Sequence, residues 1–323
     1  MSAFEKHPKT TLAFLLLAAG FLLLVGLEWS AKHFMGLGDP VVYQSHPIFG
    51  YRPIPNQHMA RQQGKILHFN NLGLRADTDW DAMPQGKMLF LGDSVTYGGS
   101  YIANDELFSH WVQKAFPQVQ VGNAGVNAWG VENVCALVQN HRFLPAEVYI
   151  STFPEGDFAR GLNRFGGQPF WPRKPRYALE ELYYYYLYKL SNKKYDHATL
   201  PLSEQDEQAV MEQAVTRLKT LDHFLRARGF KHLIFITPSK AQALKQEPRS
   251  AVLQAALAAA GLQPIYLLDT IQETSPATIE SWYYDTIHLT QAGHQQWAQW
   301  MIPPITTLWS VNHVENQYSH RTL

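Results

Sequence analysis

The sequence predicts an α/β protein of three layers, in which a parallel sheet of about five strands carries helices on both faces, preceded by one transmembrane helix. From Lys87 onward, short apolar runs alternate with longer helical segments, which is the pattern of strands and crossover helices in a parallel sheet. The chain has 323 residues, 46% of them hydrophobic, which suffices for one large domain. The segment from Thr10 to Leu27 carries no charge and is close to the length that crosses a bilayer.

The individual elements follow from the lengths and spacing of the apolar runs. Short runs bounded by turn residues predict strands at Met88–Leu91, Val119–Val121, Val148–Phe153, His232–Thr237 and Pro264–Leu268. Longer segments predict helices at Ile102–Ala115, Val131–Arg142, Leu179–Leu190, Ser203–Arg228, Arg249–Ala260 and Thr290–Leu308. Pro303-Pro304 is expected to kink or split the last helix.

The first apolar segment predicts a membrane anchor. Lys6 and Lys9 precede it, which favours a cytoplasmic tail and a domain on the outer side of the inner (cytoplasmic) membrane, periplasmic or extracellular. We expect a cytoplasmic tail at 1–9, a transmembrane anchor at 10–28, an extended lead-in at 29–85, an α/β domain at 86–310 with an insertion at 157–178, and a tail at 311–323. A cleaved signal peptide and a buried helix of a soluble protein are the alternatives.

The lead-in is rich in Pro, Gly and Asn, so we expect it to wrap the domain without regular structure, apart from an edge strand at Ile66–Phe69. The formal net charge is zero and no basic run occurs, which argues against nucleic acid as a partner. A single cysteine, Cys135, excludes an intramolecular disulfide framework and a zinc ribbon.

The stretch Leu91-Gly92-Asp93-Ser94 ends the first predicted strand of the sheet in a tight turn. A serine there lies at the carboxyl end of a strand, where open α/β sheets place their chemistry. Its backbone N–H also lies near a helix start, whose partial positive charge favours an oxyanion. Ser94 is therefore a candidate nucleophile, and the alternative is that it serves only as a helix N-cap.

A second motif, Asp285-Thr286-Ile287-His288, lies near the other end of the chain. A serine nucleophile needs a base, and the base needs an orienting partner; His288 and Asp285 have the chemistry for these two roles. Their spacing is about one helical turn, so both side chains can point the same way. Asp285, His288 and His294 could also be imagined as metal ligands, but no fourth ligand is evident and we expect no metal.

The early Gly-Asp-Ser and the late Asp-x-x-His together resemble the SGNH/GDSL hydrolase superfamily, as does the segment Leu289 to His294. The lead-in stretch Asn71-Leu72-Gly73-Leu74-Arg75 is similar to a segment of the membrane-anchored, envelope-associated members. The resemblance implies a flavodoxin-like sheet on which Ser94, His288 and Asp285 form a catalytic triad. It covers about residues 66–305.

The resemblance also implies an oxyanion hole. The Ser94 N–H would contribute, together with a glycine N–H whose place here falls on Ala128, or on Gly130 with a shift. The family's asparagine donor falls on Gly156, which has no side chain to donate. Losing one donor typically costs about 100- to 1000-fold in rate, so either another group substitutes, with Asn127 as the candidate, or the activity is weak.

The insertion between Asp157 and Tyr177 is rich in Gly, Pro and aromatic residues, which is typical of a binding loop. Asp157, Phe170 and Trp171 are candidate substrate contacts. We expect no cofactor and a serine-dependent ester hydrolase or acyl transferase that acts on O-acyl groups, such as acetyl, of a polysaccharide or on another ester. The alternatives are a non-catalytic glycan-binding or scaffold protein, working with polysaccharide assembly proteins, and a lipid esterase or thioesterase.

Overall fold

The computed structural model describes residues 6–83, 85–140, 144–164, 170–190, 204–271 and 273–319. Its strands are β1 Tyr43–His46, β2 Gly50–Pro53, β3 Gln57–Ala60, β4 Ile66–Phe69, β5 Lys87–Gly92, β6 Gln120–Gly125, β7 Val148–Pro154, β8 Lys231–Thr237 and β9 Ile265–Tyr266. Its α-helices are α1 Pro8–Met35, α2 Ser94–Tyr97, α3 Phe108–Ala115, α4 Val131–Asn140, α5 Ala178–Leu190, α6 Glu204–Arg226, α7 Lys240–Ala243, α8 Ala251–Ala259, α9 Pro276–Ser281 and α10 Gln291–Ser319.

Five strands form one parallel sheet in the order β6-β5-β7-β8-β9. Strand β5 lies between β6 and β7, so the next two strands along the chain lie on opposite sides of β5 in the sheet. This confirms the predicted α/β class, the strand number and the flavodoxin-like order. The carboxyl ends of β5, β6 and β7 meet at one edge, which brings their following loops together.

Alternation along β5 explains the three layers. Leu89 and Leu91 point into one hydrophobic cluster, while Met88 and Phe90 point into the other. Residues of α4, α6 and α8 complete the first cluster, and α3 and α10 complete the second. Both faces of the strand are therefore buried, which is why its sequence is a continuous apolar run.

Two helix predictions need correction. The segment predicted as one helix, Ile102–Ala115, instead begins with a 3-10 turn at Asn104–Glu106, and α3 starts only at Phe108. The Glu106 carboxylate folds back to accept a hydrogen bond from the Ala103 N–H at 2.8 Å, which caps the start of the 3-10 turn. The extended backbone of Leu107 then separates this turn from α3.

The last helix, α10, runs without a break through Pro303-Pro304 and through most of the predicted 311–323 tail, to Ser319. Each proline removes a backbone hydrogen bond from the helix. Packing of Trp297, Met301 and Ile305, all fully buried on the same face, holds the helix together across the prolines. Of the two expected effects of the prolines, the split of the helix is therefore wrong.

The lead-in is more regular than predicted. Strands β1 and β2 form one antiparallel hairpin, and β3 and β4 form a second, so the edge strand predicted at Ile66–Phe69 is confirmed but has a partner within the lead-in. Phe49, Tyr51 and Phe69 are fully buried in the first hydrophobic cluster. The lead-in therefore contributes aromatic side chains to the core of the domain.

Helix α1 is long and apolar enough to cross a membrane, and none of its apolar window is buried against the domain. The alternative of a buried core helix is therefore wrong. The helix extends beyond the uncharged segment to Met35, and its Glu28 carboxylate accepts hydrogen bonds from the Ala178 and Leu179 N–H groups at 2.7 and 2.9 Å. The carboxylate thus caps the N-terminus of α5 and joins α1 to the domain.

Candidate active site

The turn after β5 holds Ser94 at the carboxyl edge of the sheet. Gly92 is required there, because a Cβ atom would lie 2.1 Å from Thr96 Oγ1 and 2.5 Å from the Thr152 carbonyl oxygen. Asp93, not Ser94, caps the following helix, since its Oδ1 accepts a hydrogen bond from the Val95 N–H at 2.8 Å. The N-cap alternative for Ser94 is therefore wrong, and its hydroxyl is left for another partner.

That partner is His288, although 194 residues separate the two side chains along the chain. Ser94 Oγ lies 2.8 Å from His288 Nε2, and His288 Nδ1 lies 2.7 Å from Asp285 Oδ2. The three side chains thus form one continuous hydrogen-bonded relay. In this geometry the carboxylate fixes the tautomer of the ring, so that Nε2 can accept the serine proton.

Local backbone geometry orients the Asp285 carboxylate. Its Oδ1 accepts hydrogen bonds from the Ile287 and His288 N–H groups at 2.9 and 2.8 Å, which closes a tight turn. Partial burial raises the pKa of Asp285, but these two backbone bonds and the His288 ring outweigh burial, and the pKa is lowered. The carboxylate therefore stays ionised and stabilises a protonated His288 ring.

Two buried carboxyl groups lie behind the nucleophile. Asp93 Oδ2 is 3.3 Å from Ser94 Oγ, and Arg160 Nη1 is 3.5 Å from Asp93 Oδ2 and 2.9 Å from Asp157 Oδ1. Burial, and next the negative charge of Asp93, raise the pKa of Asp157 well above its usual range, against the opposing effect of Arg160. Asp157 is fully buried, so the predicted substrate contact is wrong: the residue instead supports the turn that carries Ser94.

The loop after β6 holds two of the expected oxyanion residues. Ala128 has a φ of +60°, in the left-handed region that favours glycine, which fits its place at the family's glycine position. Asn163 Nδ2 donates to the Ala128 carbonyl oxygen and helps to hold this conformation. In the part of the chain that the structure describes, the N–H groups of Ser94 and Ala128 donate to no acceptor.

The Asn127 side chain is tied to a tyrosine. Its Nδ2 donates to Tyr43 Oη at 3.2 Å, while the backbone carbonyl oxygen of Asn127 accepts from Tyr51 Oη at 2.6 Å. One of its amide hydrogens is therefore engaged in the ground state. Use of Asn127 as the substitute oxyanion donor would need its second amide hydrogen or a small rotation of the side chain.

Gly156 follows β7 in a 3-10 turn, at the same edge of the sheet as Ser94. A Cβ built on it would meet no atom within 4 Å. The position thus offers space for a donor side chain that this sequence does not supply.

Phe170 and Trp171 are almost wholly buried, with 5% and 8% of their surfaces exposed. The Phe170 ring packs against Tyr43 and Tyr51, and the Trp171 carbonyl oxygen accepts from the Tyr43 N–H at 2.8 Å. Both residues line a cavity of about 480 Å³, not the surface around the triad. Residues 165–169 of the predicted binding loop lie outside the described residues.

Two features beside the triad escape prediction from the sequence. Tyr101 and Tyr284 stack with their ring centroids 3.9 Å apart, and Tyr284 directly precedes Asp285 with more than half of its surface exposed. Arg75 is buried and donates to the carbonyl oxygens of Tyr97, Gly99 and Ile102, which fixes the loop after α2. The only signal for Arg75 was its place in the Asn71–Arg75 motif.

No family model and no curated protein matches the chain. Solved structures with a similar fold include a member of the lipolytic protein G-D-S-L family from Veillonella parvula (10% identity, 66% of this chain and 94% of that one, TM-score 0.36). They also include an acetyl xylan esterase (12%, 70% and 98%, 0.40) and the acetylxylan esterase Axe2 from Geobacillus stearothermophilus (16%, 67% and 92%, 0.36).

Proposed function

We propose that this protein is a membrane-anchored serine esterase or acyltransferase of the SGNH/GDSL type. The observation that carries the proposal is the unbroken relay from Ser94 through His288 to Asp285, with hydrogen bonds of 2.8 and 2.7 Å. A half-buried serine with no chemical task would not need an imidazole on one side and an ionised carboxylate behind the imidazole. Nucleophilic catalysis needs this arrangement.

The reaction proceeds in two steps. His288 Nε2 takes the Ser94 hydroxyl proton while Oγ bonds to the ester carbonyl carbon, and the carbonyl oxygen becomes an oxyanion beside the Ser94 and Ala128 N–H groups. The protonated His288 then gives its proton to the leaving alcohol as the carbon–oxygen bond breaks, which leaves an acyl-serine. Water or a sugar hydroxyl attacks that intermediate in the same way and restores Ser94.

We place the domain outside the cytoplasmic membrane, with O-acyl groups of a polysaccharide as the substrate. Support comes from the basic residues before α1, from the exposed apolar surface of that helix and from the exposed Tyr284 ring beside Asp285. An exposed aromatic face can stack on a sugar ring, because the apolar face of the sugar is then removed from water.

A direct test compares wild-type protein with Ser94→Ala on a chromogenic acetyl ester and on acetylated polysaccharide. We expect the variant to lose at least about 1000-fold in kcat/KM, because the nucleophile is removed. Ser45→Ala, which replaces an exposed serine of β1, is the matched control and keeps the wild-type rate. Equal rates for wild type and Ser94→Ala would refute the catalytic proposal.

Gly156 favours a second candidate, a non-catalytic glycan-binding or scaffold protein of a polysaccharide assembly system. Glycine has no side chain to donate a hydrogen bond, and a Cβ built on this residue would meet only open space, so an expected oxyanion donor is missing. A fluorophosphonate probe separates the two candidates, since an activated Ser94 becomes labelled and a scaffold does not. Label found at Ser94 by mass mapping supports the enzyme, and absence of label supports the scaffold.

A further inference from the structure

A cavity of about 480 Å³ lies where the end of α1 meets the α/β domain. The anchor helix, the lead-in, the loop after β6 and the segment at Phe170–Trp171 all contribute to its wall. Ser94, His288 and Asp285 are not among the lining residues, so the cavity is separate from the relay itself. Its two ends differ in chemistry.

One end is apolar and continuous with the membrane helix. Phe34, Met35 and Leu37 line it, and Phe34 and Met35 are exposed and apolar like the lipid-facing residues before them. Leu27 is the last residue of the uncharged segment, so Phe34 lies about 10 Å further along a continuous helix at 1.5 Å per residue. The head-group layer is roughly 5–8 Å thick on each side of the hydrocarbon core, so Phe34 lies at its outer edge, and an ester borne on a lipid has to move only a few ångström out of the bilayer to reach the cavity.

The other end is polar but carries no unbalanced charge. Tyr43, Tyr97 and Asn127 line it, and the buried Tyr97 hydroxyl has no hydrogen-bond partner among the described residues. Arg61 and Glu181 line the cavity beside Leu37, because Arg61 donates to the Gly36 carbonyl oxygen and Glu181 accepts from the Gly38 N–H, but they form a buried ion pair at 2.6 Å and leave no net charge there. Uncharged hydroxyl and amide groups suit a carbonyl or a sugar hydroxyl better than an ion.

This polar end adjoins the candidate active site along the chain. Tyr97 is the last residue of α2, the single helical turn that begins with Ser94. Asn127 precedes Ala128, whose N–H is a candidate oxyanion donor. A ligand that fills the cavity would therefore have its apolar part at the membrane helix and its polar part toward the relay.

We propose that the cavity binds an amphiphilic ester delivered from the bilayer, with its hydrocarbon chain against the end of α1 and its polar portion against Tyr43, Tyr97 and Asn127. This deepens the proposed function and rests on it, because it names the class of ester that reaches Ser94. The hydrocarbon chain can belong to the acyl group or to the alcohol of the ester, and in both cases the same chemical groups occupy the cavity.

The first test measures chain-length preference with the full-length protein in vesicles. One arm uses alkyl acetates from ethyl to decyl, and the other uses ethyl esters from acetate to decanoate. We expect wild-type kcat/KM to rise with chain length in at least one arm. Leu37→Trp, which fills the apolar end, should reduce the ratio of long-chain to short-chain kcat/KM about tenfold, since apolar contact area is lost.

Val252→Trp is the matched control, because Val252 is an exposed residue of α8 that does not line the cavity. It should keep the wild-type ratio. An arm that shows the preference identifies which side of the ester carries the chain. No chain-length preference in either arm, or the same preference in Leu37→Trp as in wild type, would overturn the inference while leaving Ser94-dependent acetate hydrolysis intact.

The second test does not depend on turnover. Ser94→Ala protein in vesicles is photolabelled with decyl acetate that carries a diazirine at the end of its decyl chain, and labelled peptides are mapped. We expect label near Phe34, Met35 and Leu37, competed by unlabelled decyl acetate and reduced in Ser94→Ala/Leu37→Trp. Label confined to residues 10–27 of α1 would overturn the cavity assignment. If the cavity is labelled as expected but the wild-type protein shows no Ser94-dependent hydrolysis, only the proposed function is overturned.

Discussion

Asp157 shows how a single residue can change its role between sequence and structure. In the sequence it begins an insertion and has the appearance of a substrate contact, but in the fold it is buried beside Asp93 and Arg160. Two buried carboxylates near one guanidinium cannot both be charged at low cost, so Asp157 holds a proton that an exposed aspartate would release. Its burial supports the turn of Ser94.

The raised pKa of Asp157 predicts a pH-dependent stability. Above about pH 4 the unfolded chain releases this proton while the folded protein retains it, so the folded state becomes progressively less stable until the pH passes the folded pKa. Asp157→Asn removes this pH-dependent loss of unfolding free energy, which amounts to roughly 1.4 kcal/mol for each unit by which folding raises the pKa. Thermal unfolding from pH 4 to pH 8 should show the variant gaining on wild type as pH rises. A constant difference across this range would contradict the prediction.

Gly156 predicts an activity that can be raised. Gly156→Asn places an amide donor in open space at the edge of the sheet that carries Ser94, and we expect kcat on an acetyl ester to rise about 10- to 100-fold, as a new oxyanion donor would. Gly156→Ala adds a Cβ without a donor and should stay near the wild-type rate. Equal rates for the Asn and Ala variants would show that the amide does not reach the oxyanion.

The exposed Tyr284 ring predicts a substrate-specific loss. Tyr284→Ala removes the face beside Asp285 and should raise KM for acetylated polysaccharide about tenfold, since stacking on an aromatic ring contributes roughly 0.5–1.5 kcal/mol. Tyr284→Phe retains the ring and should keep the wild-type KM. Steady-state kinetics on both polysaccharide and a small acetyl ester check this, and an equal effect on the small ester would argue against sugar stacking.

At the scale of elements, the lead-in controls the loop that follows the nucleophile helix. Asn70 Oδ1 accepts from the Leu72 and Leu74 N–H groups at 3.0 and 3.1 Å, and this turn directs Arg75 into the domain. The Arg75 guanidinium then satisfies several carbonyl oxygens of the loop after α2 at once. The stretch that resembled an envelope-associated motif therefore has a structural task beside the active site.

Arg75→Lys tests this task. A lysine cannot span the same set of acceptors with its single ammonium group, so buried carbonyl oxygens lose partners at about 1–3 kcal/mol each. We expect a lower midpoint of thermal unfolding and a lower kcat, because the loop beside Ser94 loosens. Arg228→Lys, at an exposed site where the arginine contacts one helix carbonyl, is the control and should change neither.

At the scale of the whole molecule, α1 is joined firmly to the domain. Glu28 caps α5, Arg61 donates to the Gly36 carbonyl oxygen at 2.7 Å, and Glu181 accepts from the Gly38 N–H. The orientation of the domain relative to α1 is thereby set, and the cavity between them keeps a definite shape. A flexible linker would fix neither the orientation of the domain nor the shape of the cavity.

Glu181→Ala leaves the buried Arg61 guanidinium without its carboxylate, which should cost about 3–5 kcal/mol of unfolding free energy. Glu180→Ala, at the neighbouring residue, removes an ion pair to the exposed Arg173 and should have a much smaller effect. Thermal unfolding of both variants in the same detergent checks the prediction. Similar midpoints would show that the Arg61–Glu181 pair does not hold the anchor to the domain.

The sequence by itself determined the α/β class, the five sheet strands, the apolar helix and the identity of the Ser94, His288 and Asp285 group, because these depend on local periodicity and on two short motifs. The distances within that group, the burial of Asp157 and the pairing of the lead-in hairpins were decided only by the tertiary structure. They depend on contacts between distant parts of the chain, which local patterns do not encode. The cavity is the extreme case, since the end of α1, the lead-in, α2 with its following loop, the loop after β6, the segment at Phe170–Trp171 and α5 all have to meet before it exists.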